Sequence, residues 1–164
     1  MGTAEQRQTA RGATLTRTSE REMHIERVFD APRERVWRAL TEPELLAQWW
    51  GRGHPLDVET WELRAGGHWR FVEHAGGESH GFEGRFREVT PTTRIVQSFE
   101  WDGMPARASV QTMTLVDLGD GRTRLLTDVQ FMTREDLEGM FAGGAEVGMN
   151  QSYAALDRVL AGLR

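Results

Sequence analysis

From residue 56 to residue 131 the chain repeats one pattern, six segments of alternating apolar and polar residues separated by short clusters of Gly, Pro, Asp and Thr. A period of two puts successive side chains on opposite faces of a strand, so each segment presents one apolar face. The segments are 56–63, 68–74, 80–89, 94–101, 108–118 and 122–131. Their apolar faces carry Trp69 and Phe71, then Phe82, Gly84 and Phe86, then Ile95, Phe99 and Trp101, and finally Leu125, Val129 and Phe131. Ala75-Gly76-Gly77-Glu78 reads as a hairpin turn, and Gly119-Asp120-Gly121 as another tight turn.

Ahead of this series, residues 21–30 read as a first strand, with Met23, Ile25, Val28 and Phe29. Pro32 suits the first turn of a helix, because its missing N–H has no partner there anyway. Val36, Trp37 and Leu40 give that helix an apolar face. Thr41 and Glu44 stand at capping-box spacing for a second short helix carrying Leu45, Leu46, Trp49 and Trp50, which Gly51–Pro55 stops. After the strands, Thr133-Arg134-Glu135-Asp136 opens one long helix, expected to run to about Gly162. Leu137, Met140, Phe141, Gly144, Gly148, Leu156, Val159 and Leu163 form its stripe. Gly139, Gly143, Gly144 and Gly148 each cost ~1 kcal/mol against alanine in a helix. They read either as close packing of helix on sheet or as a thinned face that leaves room for a ligand.

One long helix cannot cover both faces of such a sheet. A strongly curved sheet of about six to seven antiparallel strands, gripping the helix on its concave side, resolves the difficulty. The expected class is therefore α+β, with the two short helices closing one end and a cavity between helix and sheet. Residues 1–14 read as a disordered arm and residues 15–164 as a single domain.

Composition narrows the chemistry. The 164 residues include no cysteine, which removes disulfides, thiolate zinc sites and cysteine nucleophiles. All 20 basic residues are arginine, so lysine Schiff-base chemistry is excluded as well. A net charge of −5 argues against nucleic acid as a partner. No apolar run reaches the ~20 residues that span a bilayer, and the first 25 residues carry no secretory signal, so the expectation is a cytoplasmic protein without a membrane partner. There is no GxSxG elbow, no P-loop and no HExxH. His74 and His80 flank the Gly76-Gly77 turn and can approach across it, but they read as a solvated hairpin, and no metal or cofactor is assigned. Acid–base chemistry in an apolar pocket needs a carboxylate or a histidine; Glu73 shares the alternation of Trp69 and Phe71, which makes it the candidate carboxylate, or else a polar rim residue or a partner for arginine. Gln97 shares a face with Ile95 and Phe99. The aromatic content points to an apolar pocket. Its candidate lining is Trp37, Trp49, Trp50, Trp69, Phe71, Phe82, Phe86, Gln97, Phe99, Trp101 and Phe131, with Met140, Phe141, Gly144 and Gly148 from the last helix. Trp49 and Trp50, beside a glycine-rich loop, are candidates to gate its mouth.

Residues 27–51 resemble the opening of proteins similar to the activator of heat-shock-protein-90 ATPase, within the START-like, birch-pollen-allergen-like helix-grip (SRPBCC) superfamily. The resemblance rests on Asp30-Ala31-Pro32, Val36-Trp37, Pro43 and Gln48-Trp49-Trp50-Gly51. It continues through residues 63–71, through Gly84, Glu88 and Pro91, through residues 121–131 and along 137–160. A bacterial subgroup typically has Ser-Gly-Met-Glu in the last helix, where this chain has Ala142-Gly143-Gly144-Ala145-Glu146. The resemblance implies the helix-grip fold. Its related proteins suggest three roles: a binder of a small hydrophobic molecule, a polyketide cyclase or dehydratase working by acid–base chemistry in the same cavity, or a chaperone-associated interaction protein. Edge strands of such a sheet can also pair in a homodimer.

Overall fold

The computed structural model describes residues 12–163. The strands are β1 (Thr14–Arg17), β2 (Glu22–Phe29), β3 (Leu56–Trp61), β4 (His68–Ala75), β5 (Glu78–Thr90), β6 (Arg94–Trp101), β7 (Ser109–Asp117) and β8 (Thr123–Gln130). Helices α1 (Arg33–Thr41) and α2 (Pro43–Trp49) lie between β2 and β3, and α3 (Arg134–Ala142) and α4 (Ala145–Gly162) follow β8. All eight strands form one antiparallel sheet in the order β1-β2-β8-β7-β6-β5-β4-β3. The chain is thus a β1–β2 hairpin joined to a six-strand meander through β2 and β8. Because β2 and β3 stand near opposite ends of the sheet, the two short helices must cross from one side to the other. This is the helix-grip fold.

The six segments of alternation correspond to β3–β8, and Gly76 (φ 59°) and Gly77 (φ 85°) supply the two left-handed residues that a two-residue hairpin turn needs. Strand β1 has no counterpart in the alternation. Its sequence, Thr-Leu-Thr-Arg, offers one apolar residue, and what holds it is its pairing with β2 from Thr14↔Glu26 to Arg17↔Met23. Thr14 therefore belongs to the sheet, and Ala13 is buried with its N–H donating to Asn150 Oδ1 on α4 (3.3 Å). The rest of the expected N-terminal arm, residues 1–11, lies outside the described residues.

Two local expectations are corrected. Thr41 caps nothing. It is the last residue of α1, its Oγ1 donates to Trp37 O (2.6 Å), and α2 starts because Pro43 has no N–H with which to continue α1. The long C-terminal helix is two helices, broken at Gly143-Gly144, where Gly144 adopts φ 79°. These two glycines therefore serve a turn, not a thinned face. At the start of α3, Thr133 Oγ1 does accept from the Asp136 N–H (3.1 Å). Nothing in the structure explains Gly139, where a Cβ would meet no atom within 4 Å.

Inward-facing residues close the core: Ile25 and Phe29 from β2, Trp69 and Phe71 from β4, Phe86, Ile95, Leu115, Leu125 and Val129 from β5–β8, and Leu156 and Leu160 from α4. Curvature is set by β-bulges between Val58 and Thr60 and between Phe86 and Glu88. Between those bulges sits Gly84. A Cβ there would lie 1.9 Å from Ser98 O and 2.6 Å from Trp69 Nε1. The absent side chain lets β6 fold in and the Trp69 indole lie across β5. Gly84→Ala is expected to cost about 3 kcal/mol, as overpacking against backbone that cannot yield, read as a lower urea midpoint at unchanged slope.

The convex face is tied by charge. Arg70 on β4 bonds Glu59 on β3 (3.2 Å), Glu83 on β5 (3.1 Å) and Asp102 beyond β6 (2.7 Å). Asp102 is held below the usual carboxylate range by that hydrogen bond. On the same face His24 lies between Asp128 (Nδ1, 2.6 Å) and Glu26 (Nε2, 2.9 Å). Partial burial opposes its protonation, but the hydrogen bonds and charges of Asp128 and Glu26 outweigh burial and raise its pKa above 6.5. A raised folded pKa stabilises the protein fully below the unfolded value and ceases to do so as pH climbs through the folded one. The stability difference between the wild type and His24→Gln, measured by urea denaturation, should therefore shrink as pH rises from about 6 to about 9.

Candidate functional site

Strand register gathers an aromatic wall on the concave face. Phe71 stands opposite Phe82, Trp61 opposite Trp69, and Phe82 opposite Trp101. Trp50, the C-cap of α2, packs edge-on against Phe71 and Phe82, with ring centroids 5.0 Å from each. Phe99 adds centroid distances of 5.6 Å to Phe82 and 6.0 Å to Trp69. The wall is not uniformly sealed. Trp69, Phe71 and Phe86 are buried, whereas Trp50, Phe82, Phe99 and Met113 are only half-buried although they face inward. Met140 and Phe141 on α3 and Met149 on α4 are half-buried too.

Polar groups interrupt the wall in a few places. Gln97 Nε2 donates to Gln111 Oε1 (3.3 Å) across β6 and β7. The Trp69 indole N–H and Ser109 Oγ are buried and make no hydrogen bond. Glu73 is 1% exposed, and both its oxygens accept from Arg52, Oε2 from Nε (3.0 Å) and Oε1 from Nη2 (2.5 Å). The hydrogen bonds hold the Arg52 pKa above its ordinary value. Arg52 comes from the loop after α2, in the left-handed conformation at φ 57°, and its stem crosses α4 at Gly148. A Cβ on Gly148 would lie 2.8 Å from Arg52 Cδ, so this glycine makes room for the arginine stem.

At the other side of the sheet a second ion pair docks α4. Arg27, buried on β2, bonds Asp157 through both terminal nitrogens (2.5 and 2.7 Å) and lies 4.5 Å from the Phe29 ring centroid. Tyr153 packs edge-on against Phe29, and burial pushes its hydroxyl pKa up despite a Thr127 hydrogen bond and the Arg27 charge.

Of the remaining expected lining residues, Phe131 is buried core, and Trp37 is half-buried on α1. Trp49 is no gate. It is buried with its Nε1 donating to Ala39 O (2.8 Å), which pins α2 to α1. Trp101 leaves the wall for the rim, 38% exposed and stacked over Gly103 with the His80 ring centroid at 6.4 Å. His74 and His80 point to opposite faces because the register is His74↔Ser79 and Glu73↔His80. His74 bonds Asp57 (2.8 Å) and Ser79 (3.1 Å) on the convex side. Among the described residues no group of three His, Asp or Glu side chains could hold a metal ion. No described helix is long and apolar enough to cross a membrane. Arg52, Arg27, Trp61, Ser109 and Gln111 were not singled out by sequence reasoning. Alternation could have flagged Gln111 and Ser109, which share a face with Leu115, whereas nothing local marks Arg52.

A curved sheet gripping a C-terminal helix, with aromatic residues between them, defines the helix-grip class. Within it, the chain belongs to the family described as activator of Hsp90 ATPase homolog 1-like protein, whose model matches residues 30–161. A crystal structure of a Rhodobacter sphaeroides protein is similar at 29% identity, covering 93% of this chain and 99% of that one, with a TM-score of 0.84. A Chromobacterium violaceum protein is similar at 28% identity over 85% of this chain and 96% of that one, TM-score 0.72. An Arthrobacter aurescens protein shares the fold at 24% identity over 90% of each chain, TM-score 0.81. No protein with a curated description matches.

Removing Arg52 leaves the Glu73 carboxylate buried without its counter-charge. Arg52→Met is expected to lose about 2 to 3 kcal/mol by urea denaturation, below the range for a fully buried pair because water reaches one side of the guanidinium. The double variant Arg52→Met/Glu73→Leu should recover most of that loss, because a well-packed apolar pair replaces a buried ionic one at little cost.

Proposed function

We propose that this chain binds a small hydrophobic molecule between the concave face of the sheet and helices α3 and α4. The observation that carries the reading is the set of inward-facing apolar side chains that remain half-buried: Trp50, Phe82, Phe99, Met113, Phe141 and Met149. Inward residues of a filled core are sealed, as Ile95 is at 1% exposure. Apolar surface that faces inward and is still reached by solvent is what an apolar ligand covers, each Å² contributing about 25 cal/mol. The few polar interruptions, Gln97 and Gln111 among them, are the kind that orient a ligand in such a pocket.

Binding without turnover is favoured over acid–base catalysis by the state of Glu73. Both its oxygens are engaged by Arg52 and the side chain is sealed, so a reacting molecule reaches it only by opening that pair. Family membership supports a ligand-binding fold and leaves the ligand open, since one fold hosts many functions.

The test is titration of the purified protein with 2-naphthamide, a neutral aromatic probe, followed by tryptophan fluorescence and thermal unfolding. Saturating quenching with a rise in Tm is expected, a ligand at 100 times its Kd adding about 2.7 kcal/mol. Met149→Trp fills the space from α4 and should weaken the probe at least roughly tenfold, the scale of a 1.4 kcal/mol loss, without lowering the Tm of the free protein. A folded wild type whose fluorescence and Tm ignore both this probe and the acid of the same shape, 2-naphthoate, would overturn the reading.

A further inference from the structure

Along the concave face the wall changes character in one direction. On β4 the inward residues run Trp69, Phe71, Glu73, and on β5 they run Phe86, Gly84, Phe82, His80. Glu73 and His80 stand opposite each other, so the groove is aromatic along its length and polar at one end. Arg52 lies across that end.

The pair between Arg52 and Glu73 contributes little net stability for what it costs to bury a carboxylate, since apolar replacements of buried pairs are often neutral or better. What it achieves is placement. A guanidinium has two edges that can each present two parallel N–H donors to a planar oxyanion. Glu73 occupies the edge formed by Nε and Nη2. The edge formed by Nη1 and Nη2 is left over, and Nη1 makes no hydrogen bond among the described residues. The side chain is 42% exposed, and Nη1 lies beside Gly148, 3.6 Å from where a Cβ would stand. The buried carboxylate and the bare backbone of Gly148 fix the guanidinium in place, and the left-handed φ at Arg52 is tolerated at a position where a non-glycine residue is strained.

We propose that the free edge of Arg52 is an anchor for a carboxylate, and that the molecule bound in the groove is an amphipathic acid with an apolar, aromatic-sized body and one carboxylate head. This rests on the binding reading above and narrows its ligand class. The acid enters apolar end first along Phe71, Phe82 and Phe99. Its head stops at Arg52 and forms a second bidentate pair beside the one with Glu73. Arginine suits this role where lysine does not, because the fork fixes the plane of the carboxylate as well as its distance.

The test compares two probes of the same shape, 2-naphthoate and 2-naphthamide, at neutral pH and low salt. The wild type should bind the carboxylate at least roughly tenfold more tightly, the scale of one charge-assisted hydrogen-bonded pair. The preference should fall with added salt. In Arg52→Met/Glu73→Leu, which replaces the whole pair and so leaves no buried lone charge, the ratio of the two dissociation constants should collapse to about one. The wild type provides a readout that needs no folded variant: the Arg52 Nε–H resonance, assigned by its loss in Arg52→Lys, should shift with 2-naphthoate and stay in place with 2-naphthamide. Equal binding of both probes to the wild type, or a preference that survives in the double variant, overturns the anchor and leaves the hydrophobic-binding reading standing. Failure of both probes to bind the folded wild type overturns both.

Discussion

A sheet of eight antiparallel strands curled into a half-barrel has one large apolar face, and every other feature of this molecule answers the need to cover it. A single helix covers a strip about 10 Å wide. Here α4 takes the part over β2 and β8, held by Arg27–Asp157 and by Tyr153 against Phe29. Over β4–β6, Trp50 packs against Phe71, Phe82 and Phe99. Phe82 and Phe99, which meet Trp50 there, are half-buried.

The loop after α2 is where this coverage becomes chemistry. Trp50 and Arg52 are two residues apart and do opposite things. The Trp50 ring lies against the aromatic wall, and its carbonyl accepts from Ser152 Oγ on α4 (3.1 Å). The Arg52 side chain reaches past Gly148 to the buried carboxylate of Glu73. The loop is thus fastened to both layers, helix and sheet. Arg27–Asp157 bridges the same two layers from β2.

Much of the fold was legible because its signals are local. The alternation in 56–131 depends only on which residues face a core, and the Gly76-Gly77 turn depends only on φ, so β3–β8 were readable from composition and spacing. Strand β1 was not, because a four-residue edge strand with one apolar residue is held by its partner and not by its own pattern. The α3–α4 break was missed for a related reason. Glycines at 143 and 144 can be tolerated within a helix or can end one, and packing at the ends decides which. The candidate site divides the same way. Phe82, Phe99 and Trp50 face inward and are half-buried, while Trp49 and Trp101 carry the same local signal and stand in the core and at the rim.

By itself the sequence determined the class of the fold and the inward direction of Glu73, because strand periodicity fixes the face of every residue within a strand. It also excluded thiol and lysine chemistry through composition alone. Only the tertiary structure decided what Glu73 faces. Its partner Arg52 lies 21 positions away in a loop with no periodicity, and a third element, α4, had to offer a glycine at the crossing point. A contact among three elements distant in sequence leaves no mark on any one of them, since each residue type is ordinary where it stands and the geometry exists only once the layers have closed.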